Sequence, residues 1–506
     1  MTESVINRVA AGGPVAEGTI RFVRLGRSES LSLAELARRA EVLAARLAEL
    51  GVGRGDRVGV MAANCPEWVL LDLALLRLGA VTAGLEPHKF EPGPRLLAEY
   101  GLKLLFTDGP ADGPGVLPVS EAGRLADRPG PARPVPPAHY GPAEPTALKF
   151  TSGSTGRPKA LAATAGSVDS SLRAVQQMFA HGPGDDLFVF LPLSLLQQRY
   201  WIYSALCFGH DVTVSTYEAA FPALSQARPT VVMGVPAFYE AARTHITGQA
   251  GDAGPKGVAA AARRLFGDRV RYLWTGSAPA SRSTLDFFDG LGMPLYEGYG
   301  LNETCIVAKN HPGAHRPGSV GRVVPGKEVL FDEDGVISIR STRPVAYRYA
   351  YAPPGESERT FGPDGLVRTG DVGRLDEDGF LWIAGRADDA VVLDNGRKIL
   401  VRPLEEFLRN SPAVEECVVF CVHQTRLVAV VAPSGEVPDE RAIVRRLAEA
   451  REVFADDERI SKAVVAADGF SIANGLLTSQ FKPRRRRILA AFQAEIDDPS
   501  GGLHAT

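Results

Sequence analysis

The chain has 506 residues, 45% hydrophobic and 23% charged, with 56 basic against 59 acidic side chains and a formal net charge of −3. That length exceeds what a single hydrophobic core fills, so at least two domains are expected, and the ordinary apolar fraction excludes intrinsic disorder. The charge balance lacks the basic excess that nucleic acid or an anionic membrane surface calls for, no apolar run reaches a membrane span, and residues 1–4 (M-T-E-S) lead into no apolar core, so a cytoplasmic protein acting on small molecules is expected.

Ser32 and Glu35 stand at capping-box spacing, and Leu36, Ala40, Leu43 and Leu47 recur at helical period up to Leu50, with Gly51 as a stop; this predicts a helix over 33–50. A strand over 57–62, a helix opening at Asn64-Cys65-Pro66 and running to Gly79, and a strand over 80–85 make a β-α-β unit. Such alternation predicts an α/β fold with a mainly parallel sheet covered on both faces by helices. Residues 109–145 are crowded with Pro, Gly and Ala and read as a long surface connection without regular elements. The core resumes at Leu148, with strands expected over 187–191, 211–215, 231–235 and 271–275 and helices over 198–208 and 236–244. Residues 318–384 carry shorter β-rich segments and Gly turns, the texture of a small antiparallel subdomain. A boundary is expected at 385–389. Beyond it come a helix over 403–408, strands over 414–422 and 426–432, a helix over 439–450, and a final helix after the basic cluster of Lys482 and Arg484 to Arg487, which reads as a solvated face.

Cys65, Cys207, Cys305, Cys417 and Cys421 are odd in number, scattered and without C-x-x-C spacing, so neither a disulfide framework nor a zinc site is indicated. Cys417 and Cys421 share one strand face and read as small buried side chains. The chemistry concentrates in residues 151–160, T-S-G-S-T-G-R-P-K-A. Thr151, Ser152, Ser154 and Thr155 supply hydroxyls, Gly153 and Gly156 let backbone N–H groups turn inward, and Lys159 adds charge, a combination suited to polyphosphate oxygens. A Walker A pattern cannot be laid over it, since Lys159 follows Pro158, and no G-x-S-x-G elbow encloses Ser152 or Ser154. Taken alone, the loop reads equally well as a Ser/Thr/Gly-rich surface turn.

In chain order follow Y-E-G-Y-G-L-N-E-T at 296–304, R-T-G-D at 368–371 and G-R-A-D-D at 385–389. In this order the four motifs resemble the AMP-forming adenylate-forming superfamily of acyl-CoA synthetases, adenylation domains and luciferases, and the resemblance runs from G-D-R-V at 55–58 to Lys482. It implies a large N-terminal domain over 1–384, with helix-covered sheets and a small β subdomain, a hinge over 385–389, and a small mobile α+β domain over 390–506. The active site would lie between the two domains. The resemblance also implies ATP and Mg2+ as partners. Thr151, Ser152, Gly153, Ser154, Thr155, Gly156 and Lys159 would hold the β- and γ-phosphates. Tyr299, beside Gly300, would stack on the adenine, whose other face lies on Gly276, Ser277, Ala278 and Pro279. Glu303 would bind Mg2+, Thr304 would donate to the α-phosphate, and Asp371 would accept both ribose hydroxyls. Arg386 would approach the ribose or phosphate, and Asp388 sits where the family places its hinge. Lys482, in T-S-Q-F-K-P-R-R, would bridge the acid's oxygen and the α-phosphate, so that Lys482, Thr304, Glu303 and Lys159 form the catalytic set. Without the surrounding motifs, Tyr299 reads as a core tyrosine and Asp371 as a turn former after Gly370.

The stretches L-P-L-S-L-L-Q-Q-R-Y at 191–200 and R-P-T at 228–230 look most like the long-chain acyl-CoA ligase branch. An amino-acid-activating domain would carry an Asp in the first of them, and none is there. The family's histidine after the phosphate loop is replaced in Thr164-Ala165, its Thr in the adenine motif is Asn302, and the Glu of the long-chain stretch is Gln198. Gln198, Tyr200, Trp201, Met233, Gly234 and Thr275 are expected to line the acid pocket, whose polar and aromatic members favour an aryl or unsaturated acid. The function implied is an acid–CoA ligase with CoA as second substrate. Transfer to a carrier protein or an amine, activation of nitrite to diazotise an arylamine, and a non-catalytic nucleotide binder are the alternatives.

Overall fold

The structure, a computed structural model, describes residues 4–504 except 88, 130–132, 152–157, 395–396, 436, 479–480 and 499. Among the described residues, six strands form one sheet, in the order Val116–Pro118, Leu102–Thr107, Arg57–Met61, Val81–Gly84, Pro145–Thr151 and Lys159–Thr164, parallel until the last pair. A nine-stranded sheet runs Arg322–Val323, Cys305–Lys309, Leu295–Leu301, Tyr272–Thr275, Val231–Met233, Asp186–Val189, Asp211–Ser215, Thr19–Arg24 and Arg27–Ser32. It is parallel through its centre and antiparallel at both edges.

Helices Pro66–Leu78, Ala165–Phe179 and Leu196–Phe208 share one core with Val58, Val60 and Ala147 of the smaller sheet and Leu187, Val189 and Met233 of the larger. Pro66–Leu78 is apolar on nearly every side, as a helix covered all round must be. Its one buried acid, Asp72, accepts from Arg199 Nη1 at 2.7 Å and from the Tyr203 hydroxyl at 2.5 Å. A second core on the outer face of the larger sheet is closed by helices Ala220–Ala227, Pro236–Ala250, Gly254–Phe266 and Arg282–Gly290.

Local signals held where the chain stops or starts an element. The Ser32 hydroxyl accepts from the Glu35 N–H at 3.0 Å and opens the helix Leu33–Glu49. Pro66 stands at the first turn of the next helix, and Gly79 ends it in the left-handed region. Residues 109–145 depart from expectation. The strand Val116–Pro118 and the helix Ser120–Asp127 lie within them, because Val116 pairs into the sheet and Ala122, Leu125 and Ala126 bury against the main core. The strand expected over 231–235 stops at Met233, and the helix beginning at Pro236 runs on to Ala250.

An antiparallel sheet of Lys327–Phe331, Val336–Ser341, Leu366–Leu375 and Leu381–Arg386 follows. After Arg386 come a 3-10 turn, Ala387–Asp389, and a hairpin, Ala390–Val392 with Lys398–Leu400. The chain then builds a sheet of Val414–Val422, Arg426–Pro433, Ile460–Val465 and Leu503–His504. Cys417 and Val419 on one face meet helices Val401–Arg409 and Glu440–Val453, while Val418 and Phe420 on the other meet Arg485–Ala491 and Gln493–Asp497. The fold is therefore α/β with a large N-terminal and a small C-terminal part. No described helix is long and apolar enough to cross a membrane.

Candidate active site

The phosphate side begins where Thr151 ends its strand and pairs with Lys159, the first residue of the returning strand. Ser152, Gly153, Ser154, Thr155 and Gly156 lie outside the described residues. Lys159 Nζ makes an ion pair with Glu356 and stands 5.1 Å from the centre of the Tyr349 ring. The Tyr349 hydroxyl donates to Glu303 Oε1 at 2.8 Å. Tyr349 thus joins the lysine expected at the phosphates to the carboxylate expected at the metal. Neither Tyr349 nor Glu356 stood out in the sequence, since Tyr349 comes from an irregular segment, Glu356 opens the short helix Glu356–Thr360, and neither belongs to a motif.

The nucleoside side is drawn together at a bulge in the strand Leu295–Leu301. The register shifts between Tyr299 and Gly300, and a Cβ on Gly300 would lie 1.9 Å from the Cys305 carbonyl oxygen, so only glycine fits. Tyr299 packs against the cluster of Val307, Ile337 and Ile339 and donates its hydroxyl to Asp371 Oδ2 at 2.5 Å. Arg386 Nη1 donates to Asp371 Oδ1 at 3.2 Å and to the Thr369 carbonyl at 2.6 Å. Both oxygens of Asp371 therefore already have one partner each. Gly276 to Pro279 leave the end of the strand Tyr272–Thr275, with Ser277 in the left-handed region at φ 70°. Thr304 is buried; its hydroxyl accepts from the Leu301 N–H at 2.9 Å and donates to the Cys305 carbonyl at 3.0 Å. Donation to a phosphate requires that hydroxyl to exchange the second partner.

Lys482, in the C-terminal part, lies within electrostatic reach of this group. The residue as a whole stays exposed, yet the protein around its ammonium lowers its pKa; Asp371 pulls the other way, and Arg386 and Arg402 reinforce the lowering. Its neighbour Phe481 takes a left-handed backbone, φ 58°, and stacks on Tyr217 with ring centres 5.0 Å apart and planes at 28°. Asp388 is exposed in the 3-10 turn, 3.7 Å from Arg386. Arg485 departs from the solvated reading of the basic cluster: it bonds Glu405 Oε1 at 2.5 Å and the Val419 carbonyl.

On the acid side the expected residues divide. Met233, Trp274 and Tyr296 are cross-strand neighbours, and Trp201 meets Trp274 edge-on at 5.2 Å. Tyr200 turns away from them and hydrogen-bonds Cys305 Sγ at 3.3 Å. Successive helical residues point about 100° apart, so Tyr200 and Trp201 meet different neighbours. Gln198 Oε1 and Thr275 Oγ1 are buried with no partner among the described residues. Gly234 is held to glycine by the Tyr239 ring, 2.9 Å from where a Cβ would stand. Trp274 and Lys309 were not singled out from the sequence. The Lys309 ammonium sits 3.6 Å from the centre of the Trp274 ring and donates to the Tyr296 and Thr275 carbonyls at 2.7 and 3.3 Å. Burial lowers its pKa well below the usual lysine value.

A small α+β part that carries a lysine onto the edge of a two-sheet α/β part defines a class of enzyme, the AMP-forming ligases. The chain belongs to the AMP-binding enzyme family, which it matches over residues 9–337, with the AMP-binding enzyme C-terminal domain over 388–499. It is 30% identical over 459 residues to the long-chain-fatty-acid–CoA ligase FadD15 of Mycobacterium bovis, across 77% of this chain and 75% of that protein. It is 28% identical over 471 residues to a 3-hydroxybenzoate–CoA ligase of Aromatoleum sp., across 83% and 85%. The solved anthranilate CoA ligase AuaEII in complex with anthranoyl-AMP shares its fold, with a TM-score of 0.77 over 97% of this chain and 98% of that one at 19% identity.

Proposed function

We propose that the protein activates a carboxylic acid with ATP and Mg2+, forms an enzyme-bound acyl adenylate, and passes the acyl group to coenzyme A. The observation that carries this reading is the joining of Tyr299, Asp371 and Arg386 by hydrogen bonds, with the segment of Lys482 held against the large part by the Phe481–Tyr217 stack, because a mobile cation delivered near a carboxylate proposed to bind ribose can act where the α-phosphate would react. A carboxylate oxygen attacks the α-phosphorus, the bond from that phosphorus to the bridging oxygen breaks, and pyrophosphate leaves. Lys482 offsets the negative charge gathered at the attacked phosphate, and Lys159 that on the departing one. The thiol sulfur then attacks the acyl carbon, its proton passes to solvent, and AMP departs.

Glu303 is the residue that would hold Mg2+, its carboxylate already oriented by Tyr349. A hard cation takes oxygen ligands, and the Glu303 carboxylate would supply one. Bound there, the ion would neutralise phosphate charge. We assign the large domain to 1–384, the hinge to 385–389 with Asp388 at its centre, and the small domain to 390–506. The aromatic face of Trp201, Trp274 and Tyr296 supports an aryl acid as substrate.

The test is pyrophosphate release from ATP with a panel of aryl and fatty acids, followed by mass analysis of the products with CoA, with a carrier protein or amine, and with nitrite plus arylamine. An acyl-CoA product that Lys482→Ala does not form is expected. Release with nitrite alone, or with no substrate, defeats the reading.

A further inference from the structure

The backbone that bears Glu303 and Thr304 is held by two lysines that the reaction above does not use. Lys149, on the strand Pro145–Thr151, is buried and donates Nζ to the Asn302 carbonyl at 2.9 Å. Lys327, on the strand Lys327–Phe331, donates to the Thr304 carbonyl and to the Ser341 hydroxyl, each at 2.8 Å. Cys305 then turns the chain with a left-handed φ of 55°, its Sγ 3.9 Å from Lys149 Nζ and 3.3 Å from the Tyr200 hydroxyl. One strand of each of two sheets and the helix Leu196–Phe208 therefore converge on four consecutive residues, 302–305.

A buried ammonium is costly to desolvate, and an apolar side chain would fill the same volume without that cost. What a lysine adds is direction. In a trans peptide the carbonyl and the following N–H point opposite ways, so fixing the Asn302 carbonyl on Lys149 turns the Glu303 N–H to the other side. Fixing the Thr304 carbonyl on Lys327 sets the far end of the same turn. Side-chain direction at Glu303 and Thr304 follows from both.

We infer that Lys149 and Lys327 are positioning residues for adenylate formation: together they set the orientation of the 302–304 turn, and Cys305 ties that turn to Tyr200 on the helix Leu196–Phe208. The inference rests on the AMP-forming reading of the site. It concerns residues with no direct part in the bond changes.

The test compares full-length wild type with Lys149→Met, Lys327→Met and Lys327→Arg in acid-dependent pyrophosphate release, with thermal melting measured alongside. A turn displaced by about 1 Å is enough to cost up to about a hundredfold in rate, so each Met variant is expected to lose tenfold or more, roughly, in kcat while KM for the acid moves less than about twofold; Lys327→Arg recovers part of the loss. A folded Met variant with lowered Tm but wild-type kcat overturns the inference and leaves the lysines as supports of the fold. If neither Met variant folds, Cys305→Ser and Tyr200→Phe decide: a lowered kcat in either sustains it, and wild-type kcat in both overturns it. Wild type that releases no pyrophosphate with any acid defeats the AMP-forming reading instead, a result distinct from active wild type with indifferent variants.

Discussion

Tyr299 donates its hydroxyl to Asp371 Oδ2 across 2.5 Å, so the ring proposed to lie on the adenine and the carboxylate proposed to take the ribose move as one unit. Burial raises the Tyr299 phenol above its ordinary pKa, and Asp371 adds to the shift, which keeps the hydroxyl a donor at any working pH. Tyr299→Phe keeps the ring and frees the carboxylate. Losing a hydrogen bond to a charged group costs about 1.5 kcal/mol or somewhat less where Arg386 remains, so KM for ATP should rise roughly five- to tenfold with little change in kcat. Steady-state kinetics with ATP varied at saturating acid check this.

Lys159 is engaged by Glu356, and both side chains are largely covered. Triphosphate must therefore compete with a carboxylate for the same ammonium. Glu356→Gln removes the competitor and should lower KM for ATP several-fold, on the order of 1 kcal/mol for a partly buried pair, while Lys159→Ala should raise KM and lower kcat together. Isothermal titration with ATP separates the two variants by sign.

Glu297 sets a pH dependence. Burial raises its carboxyl to about 7, against the N–H groups of Ala280 and Gly318 and the charge of Lys309, which lower it. Unfolded, a glutamate titrates near about 4.3, so the native state holds the proton more tightly and the contribution is complete below that value and lost as pH rises through about 7. Glu297→Gln cannot ionise, and its Tm should fall less than that of wild type between about pH 5 and pH 8, by an amount worth at most roughly 3 kcal/mol. Parallel Tm-against-pH curves would refute this.

The Tyr217–Phe481 stack holds the segment that carries Lys482. Phe481→Ala should slow acid-dependent pyrophosphate release about two- to tenfold, the range of an aromatic pair. Thioester formation from supplied acyl adenylate and CoA should be unaffected, because the lysine has no part in it. Rapid-quench measurement of each half-reaction checks both halves.

Elements fixed by neighbouring residues could be read directly, as at Ser32 with Glu35 and at Pro66 with Gly79. The helix Ser120–Asp127 could not, since its small apolar stripe is masked by Pro and Gly on either side and acquires meaning only against a distant core. Lys482, Asp371 and Tyr299 stand in motifs whose order can be read along the chain, whereas Tyr349, Glu356, Tyr217 and Lys309 have no local pattern and owe their places to packing between segments far apart in sequence. Tyr200 and Trp201 are neighbours in sequence yet meet different partners, Cys305 for the first and Trp274 for the second, a division that no local pattern announces.

Phe481 and Lys482 are consecutive, and that adjacency has a bearing on reversibility. A backbone movement that carries the ring off Tyr217 carries the ammonium with it. In the proposed reaction, a rotation of the small domain that parts the stack disarms phosphoryl chemistry in both directions at once. An adenylate formed before that rotation is then out of reach of returning pyrophosphate, so the domain movement commits the enzyme to its second substrate.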